Sequence, residues 1–252
     1  MPPALLAPVA DEIARTLAAL DLEAVRATYR AQNEFVHVER LFPQSVIGPM
    51  VEEAQRARAA INRNYIPRHK KGGSVSAYTL REQAPAILTL YRSPAFLDFV
   101  RAVTGQAVQR CPDGDPHACA LYYYTEPGDH IGFHYDTSYY RGTRYTVLVG
   151  LVERSSSRLV CQVHKDDPAR LRELALATET GTLVLFNGDT LWHKITPLGE
   201  GEERVSLTLE YVTDPTMTPV KRFVSNMKDA IAYFGFRSVF ARRGAQAPRV
   251  TR

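Results

Sequence analysis

The sequence predicts an α+β protein, mainly β. An N-terminal helical layer packs on a sandwich or barrel of short strands, and one more helix follows near the C-terminus. Three observations carry this. Residues 1–105 place apolar side chains at helical spacing. Residues 106–214 change to short β-rich runs divided by turn residues. The segment 215–252 returns to helical spacing and is strongly basic. A chain of 252 residues, 45% hydrophobic and 23% charged, can bury a large core as one domain without disulfides or a structural metal.

The helical layer begins with Asp11 to Tyr29, where Ile13, Leu17, Leu20 and, after a break, Val25 recur, and Asp11 is placed to cap. Val46 to Ile61 is rich in Ala and Arg, with Pro49 near its start. Asn62 to Ser76 holds Pro67, Lys70, Lys71, Gly72 and Gly73 and reads as a loop. Pro85 to Thr104 repeats apolar residues, is split at Ser93-Pro94, and stops at Gly105.

Seven strands follow: Ala120–Tyr124, Ile131–Asp136, Tyr145–Val152, Arg158–Val163, Thr182–Phe186, Leu191–Thr196 and Arg204–Val212. Turn residues such as Glu126-Pro127-Gly128 and Asn187-Gly188-Asp189 separate them. The insert Asp166 to Ala177 has a helical composition. Val220 to Phe234 shows helical spacing and predicts the last helix.

Charge and cysteine content narrow the function classes. The net charge of +4 is the sum of +7 over residues 220–252 and −3 over the remainder, so the basic character belongs to the tail. That tail alternates aromatic residues and arginines, which suits a homodimer contact or an anionic surface. No interleaved aromatic and basic groove precedes it, which argues against a nucleic-acid partner. No apolar run is long enough for a membrane helix, and the N-terminus lacks a basic signal-like region. Cys111, Cys119 and Cys161 form no C-x-x-C pair and are expected as free thiols in a reducing cytoplasm.

The chemistry-bearing stretch runs from Tyr122 to Asp136. His134 and Asp136 lie two apart on a predicted strand and so share a face, offering an imidazole and a carboxylate to a divalent metal of the iron type. Downstream, Gly181-Thr-Leu-Val-Leu-Phe leads through a turn to His193. Two histidines and one carboxylate leave coordination positions open. On the last strand, Arg204, Ser206 and Thr208 share one face, while Val205, Leu207, Leu209 and Tyr211 pack on the other. If residues 199–202 form a hairpin turn, His193 pairs near Thr208, and Arg204 stands along the same face, about 13 Å away.

The run from Tyr122 to Tyr211 resembles the iron(II)- and 2-oxoglutarate-dependent dioxygenase superfamily, in the prolyl-hydroxylase-like pattern. The matching pieces are the Tyr-rich strand and Pro-Gly turn, His134-x-Asp136, Arg144-Tyr-Thr-Val-Leu-Val, Gly181-Thr-Leu-Val-Leu-Phe, His193 and Arg204-x-Ser206. The resemblance implies a double-stranded β-helix, or jelly roll, with iron held by His134, Asp136 and His193. It implies that 2-oxoglutarate binds iron at one end, with its far carboxylate held by Arg204 and Ser206, and that Tyr122 or Tyr124 is an added donor. It also implies oxidative chemistry with molecular oxygen, in which 2-oxoglutarate becomes succinate and a substrate C–H bond is attacked. In relatives that halogenate, a small residue replaces the carboxylate, so Asp136 favours hydroxylation over halogenation, while desaturation and cyclisation use the same three ligands.

The expected substrate is a small molecule such as an amino acid or a biosynthetic intermediate. The alternatives are a protein side chain or a lipid-linked sugar. His130 shares strand parity with His134 and is a candidate for the cavity wall. Tyr139, Tyr140, Arg141 and Arg144 follow the metal strand, where a substrate loop is expected. The segment Arg68 to Ser76 is a candidate lid. These cations point to a substrate carrying a carboxylate or phosphate.

Overall fold

Apolar residues at helical spacing turn the N-terminal part of the chain into helices stacked on one face of a sheet. The computed structural model describes residues 6–217, so the helix expected at 220–234 and the subunit contact expected of the basic tail lie outside the described residues. The helices are α1 (Leu6–Ala18), α2 (Leu22–Ala31), α3 (Gln44–Ala57), α4 (Ala77–Gln83), α5 (Pro85–Arg92) and α6 (Pro94–Thr104). Asp21 rather than Asp11 is the first cap. Its side chain accepts from the Ala24 amide at 3.0 Å, because α1 starts upstream at Leu6 and takes Asp11 into its interior. The split at Ser93-Pro94 is present. Ser93 Oγ accepts from the Phe96 amide at 3.2 Å, and Gly105 ends α6 at φ +69°, a conformation that costs glycine nothing.

Glu53 ties two helices together. It is 1% exposed, and its carboxylate accepts from the amides of Ala86 (2.8 Å) and Ile87 (2.9 Å) in the first turn of α5. Those amides have no partner within their own helix, so a side chain of α3 supplies one, and the helix dipole favours a negative charge there.

The strands are β1 (Phe35–Val38), β2 (Asn62–Ile66), β3 (Lys70–Val75), β4 (Gln109–Arg110), β5 (Cys119–Tyr124), β6 (His130–His134), β7 (Arg144–Arg154), β8 (Leu159–Val163), β9 (Arg172–Leu176), β10 (Leu183–Asn187), β11 (Trp192–Ile195) and β12 (Glu203–Val212). They pair in the order β1-β10-β7-β12-β5-β3-β6-β11-β8-β9, with β2 on β3 and β4 on β12. This curled, largely antiparallel sheet is the jelly roll. Alternation sorts its side chains. Leu183 and Leu185 join the core under the helices, while Val184 and Phe186 join a second core inside the roll with Leu159, Cys161 and Ile195.

Two segments differ from expectation. The presumed loop at 62–76 is the β2–β3 hairpin, and β3 lies between β5 and β6, so residues 70–75 are built into the sheet and do not form a lid. Sequence alternation is weak in Lys70-Lys71-Gly72-Gly73, and it is the two open backbone edges that recruit the strand. The insert at 166–177 yields β9 and no helix among its residues, because the free edge of β8 offers backbone partners that outweigh its composition.

Glu53→Ala leaves the first-turn amides of α5 buried without an acceptor. We expect it to lower the unfolding free energy by about 2–4 kcal/mol, read from urea denaturation, with Glu53→Gln losing less. Equal stability of the alanine variant would show that water or backbone replaces the carboxylate.

Candidate active site

His134 ends β6 and His193 lies in β11. The two strands are antiparallel neighbours, with His134 directly opposite His193. Their rings are 4.2 Å apart between centroids, and Phe186 of β10 sets its edge against His193 at 4.9 Å. Asp136 lies two residues past the end of β6. Its Oδ1 is 3.3 Å from His134 Nε2, and its Oδ2 is 3.8 Å from His193 Nε2. One ligand atom from each of the three residues falls within 4.8 Å of the others, a spacing that suits one metal ion.

The hydrogen bonds fix the tautomers. His134 Nδ1 donates to the Gly132 carbonyl at 2.9 Å, and His193 Nδ1 donates to the Leu191 carbonyl at 3.1 Å. A carbonyl only accepts, so both protons sit on Nδ1, and both Nε2 lone pairs face the cluster, as metal ligation requires. Burial lowers His134, but the Asp136 carboxylate outweighs that and leaves His134 above its ordinary value. His193 is deeper, and burial leaves it below its ordinary value in spite of Asp136. Asp136 is raised by burial, yet His193, His134 and Arg144 together hold it far below the usual carboxylate range. Asp136 is therefore a carboxylate at any working pH, ready to ligate a cation.

The expected pairing of His193 with Thr208 is not found. β11 pairs with β6 and β8, whereas β12 pairs with β5, β7 and β4. The chain crosses between the two halves of the roll after β11 instead of turning back on itself, so the hairpin distance to Arg204 does not apply. The assignment of faces holds nonetheless. Val205, Leu207, Leu209 and Tyr211 pack under the helices, and Arg204, Ser206 and Thr208 turn to the other side. Arg204 is opposite Tyr124, and Ser206 is opposite Tyr122. Arg204, 1% exposed, pairs with Glu153 at 3.0 Å and donates to Thr178 Oγ1 at 2.7 Å, while its Nε has no protein partner.

His130 does not share a face with His134. The β6–β11 register shifts between the pairs His134–His193 and Ile131–Ile195, three residues against two. That bulge turns Ile131 into the inner core and leaves His130 on the other side, opposite Lys71, with its Nδ1 on the Gly128 carbonyl at 2.8 Å. Outside the roll, Phe133 stacks on Trp192 with rings 5.8 Å apart. Arg144 is not at a mouth. It is 7% exposed, and its Nε donates to Glu210 Oε2 at 2.8 Å. Tyr139 is half-buried between β6 and β7, and the Tyr140 hydroxyl donates to Asp115 at 2.7 Å.

Three more residues lie near the triad: Lys70, which belongs to the segment expected as a lid, and Thr146 and Glu210, for which the sequence carries no expectation. Lys70 of β3 is opposite Ile131 and faces inward, with its Nζ 5.0 Å from the Tyr122 ring centre. Burial lowers its pKa while Asp136 pulls the other way. Thr146 of β7 donates to Asp136 Oδ2 at 3.1 Å and lies 3.0 Å from Glu210 Oε2. Burial raises Glu210 to about 8 against the pull of Arg144. The only signal for Thr146 and Glu210 was their polarity on apolar strands.

The model of the family described as HalD, halogenase D, matches residues 17–142. No curated protein matches the chain in sequence. Among solved structures, the chain is similar to the epimerase SnoN from nogalamycin biosynthesis, determined in complex with Fe3+, alpha-ketoglutarate and nogalamycin RO. The identity is 15%, with 76% of this chain and 83% of that one covered at a TM-score of 0.62. It is similar to the carbocyclase SnoK from the same biosynthesis, at 12% identity over 82% and 91% with a TM-score of 0.64. It is also similar to a Pseudomonas putida prolyl-4-hydroxylase, at 17% identity over 77% and 98% with a TM-score of 0.58. The chain shares the fold of these oxygenases.

A Cβ added at Gly188 would lie 2.7 Å from the Asp136 carbonyl oxygen and 3.0 Å from its Cβ. We therefore expect Gly188→Ala to push Asp136 out of place and to cost about 1–3 kcal/mol in denaturant titration. A neutral result would mean that the segment after β6 yields without strain.

Proposed function

The chain belongs to the halogenase D family, and on that premise we propose that it is an iron(II)- and 2-oxoglutarate-dependent dioxygenase. In this reading it hydroxylates an aliphatic C–H bond of a small molecule, such as an amino acid or a biosynthetic intermediate. The observation that carries the reading is the cluster of His134, Asp136 and His193, whose ligand atoms lie within 4.8 Å of one another. Two imidazoles and one carboxylate suit non-heme Fe(II) and leave positions open for a cosubstrate. The buried Arg204, with an Nε that no protein group satisfies, supports a carboxylate ligand at the far end of an extended diacid. Tyr124 opposite Arg204, Ser206 two residues along the same strand, and Tyr122 opposite Ser206 are the proposed added donors.

Bound iron and 2-oxoglutarate would supply the oxidising power. The protein's own residues bind, orient and exclude water. The Gly132 and Leu191 carbonyls hold the imidazoles in their ligating tautomers. Phe186, against His193, covers the inner side of the cluster. Lys70 brings an amine to the Tyr122 ring, 5.0 Å from its centre, within electrostatic reach of Asp136, and this supports a substrate bearing a carboxylate or phosphate. Three buried free thiols suit a reducing cytoplasm, and no helix among the described residues is long and apolar enough to cross a membrane.

A second reading, halogenation, is favoured by the family's name. Asp136 opposes it, because the position that a halide would take next to the metal already holds a carboxylate. Epimerases and carbocyclases share this fold, so the product decides the outcome. Incubation with Fe(II), 2-oxoglutarate, oxygen, chloride and a metabolite pool should give succinate and a product one oxygen atom heavier. A chlorinated product, or one lacking two hydrogens, would overturn hydroxylation. Without oxygen, Fe(II) and 2-oxoglutarate together should give a weak visible charge-transfer band that His134→Ala, Asp136→Ala and His193→Ala each abolish. Full turnover in any of these variants would remove that residue from the metal site.

Arg204→Ala should raise the 2-oxoglutarate requirement by about 2–5 kcal/mol, roughly thirtyfold to several thousandfold, while metal binding survives. Titrating the charge-transfer band with 2-oxoglutarate measures this, and an unchanged affinity would place the carboxylate anchor elsewhere.

A further inference from the structure

Asp136 follows the end of β6, so no strand ladder fixes its position, and its side chain is 23% exposed. A carboxylate free to rotate presents either oxygen to a cation. Yet Asp136 Oδ2 accepts from Thr146 Oγ1 at 3.1 Å, and Thr146 is fully buried on β7. Thr146 is directly opposite Glu210 on β12, with its hydroxyl 3.0 Å from Glu210 Oε2. Arg144, two residues before Thr146 on the same strand, donates its Nε to that same oxygen at 2.8 Å. The backbone is gripped as well, since Gly188 donates its amide to the Arg144 carbonyl at 2.8 Å and leaves no room for a Cβ beside Asp136.

A contact as buried as that between Arg144 and Glu210, 7% and 3% exposed, is weak as a stabilising device, because the burial that raises Glu210 offsets most of the attraction. Its geometry has a clearer use. The β7–β12 ladder sets Thr146 opposite Glu210, Arg144 fixes Glu210, and the single hydroxyl proton of Thr146 is available to one oxygen of Asp136. From this arrangement we infer that Thr146, fixed by its strand, is the positioning residue for Asp136: it pins Oδ2 and leaves Oδ1, the oxygen nearer His134 Nε2, to be presented to the metal. The inference rests on the proposed metal site and assigns this site an outer layer of its own. Partners of this kind commonly carry a roughly 10- to 100-fold effect on metal affinity.

The test is Co(II) titration of the metal-free full chain without oxygen, followed by its visible absorption, with the metal-free melting temperature confirming that each sample is folded. Thr146→Val keeps the shape and removes the hydroxyl, and should weaken Co(II) binding roughly 10- to 100-fold. Thr146→Ser restores the hydroxyl and should return affinity to within about threefold of the parent. If the valine variant does not fold, Thr146→Ala carries the same expectation against the same serine control. Valine binding within about threefold of the parent, or serine as weak as valine, overturns the positioning role and leaves the metal site standing. A parent that binds no Co(II), or an Asp136→Ala variant that binds it equally well, overturns the metal site and this inference with it.

Discussion

The site depends on one backbone pairing. β6 and β11 are antiparallel neighbours with His134 opposite His193, which brings residues 59 positions apart in the chain to 4.2 Å between ring centres. A one-residue slip would turn every side chain of a strand to the opposite face. The register is held by what lies on each side. Ile131 and Ile195 meet in the inner core, and Phe133 and Trp192 stack outside. The bulge between these pairs is what lets Ile131 and His134, three apart, both face inward. The two imidazoles are thus placed by apolar packing and by backbone hydrogen bonds, before any ligand contributes.

The interior of the roll is not uniformly apolar. Arg204 meets Glu153 on one side, and Arg144 meets Glu210 on another. Both arginines lie on or beside the central pair β7 and β12, the strands with the longest shared ladder. Buried cations need carboxylates or ligands to balance them. Arg144 donates its Nε to Glu210 at 2.8 Å, and its charge helps hold Asp136 ionised. Arg204 keeps one buried N–H without a protein acceptor. That unsatisfied N–H is what supports the proposed ligand role of Arg204.

Much of this was legible in the sequence, and the failures have particular causes. The strands carrying His134, His193 and Arg204 stood out because their apolar alternation and turn residues are local signals. The face of Arg204 followed from period-two alternation and holds in the structure. His130 was misplaced because a bulge breaks that period, and nothing in His-Ile-Gly-Phe-His announces one except the glycine. The pairing of His193 with Thr208 failed because the connection crosses the roll, and a turn-like sequence does not tell a hairpin from a crossover. The sequence around Lys70 is loop-like because its strand exists only in the company of β5 and β6. Nothing local to Arg144 shows that it is buried, because its partner Glu210 lies 66 positions away.

The halogenase D match ends at residue 142, so it covers His134 and Asp136 but neither His193 nor Arg204. Within that stretch the two readings of the chain separate at one side chain. A halide next to the metal needs the room and the charge that a ligating carboxylate takes up. Asp136 occupies that room, and the structure around it is organised to keep it there. Gly188 leaves space for its backbone, Thr146 holds its outer oxygen, and the next group beyond Thr146 is another carboxylate, Glu210. These contacts hold a carboxylate at position 136, and that supports the proposed hydroxylation over halogenation as much as the identity of the residue does.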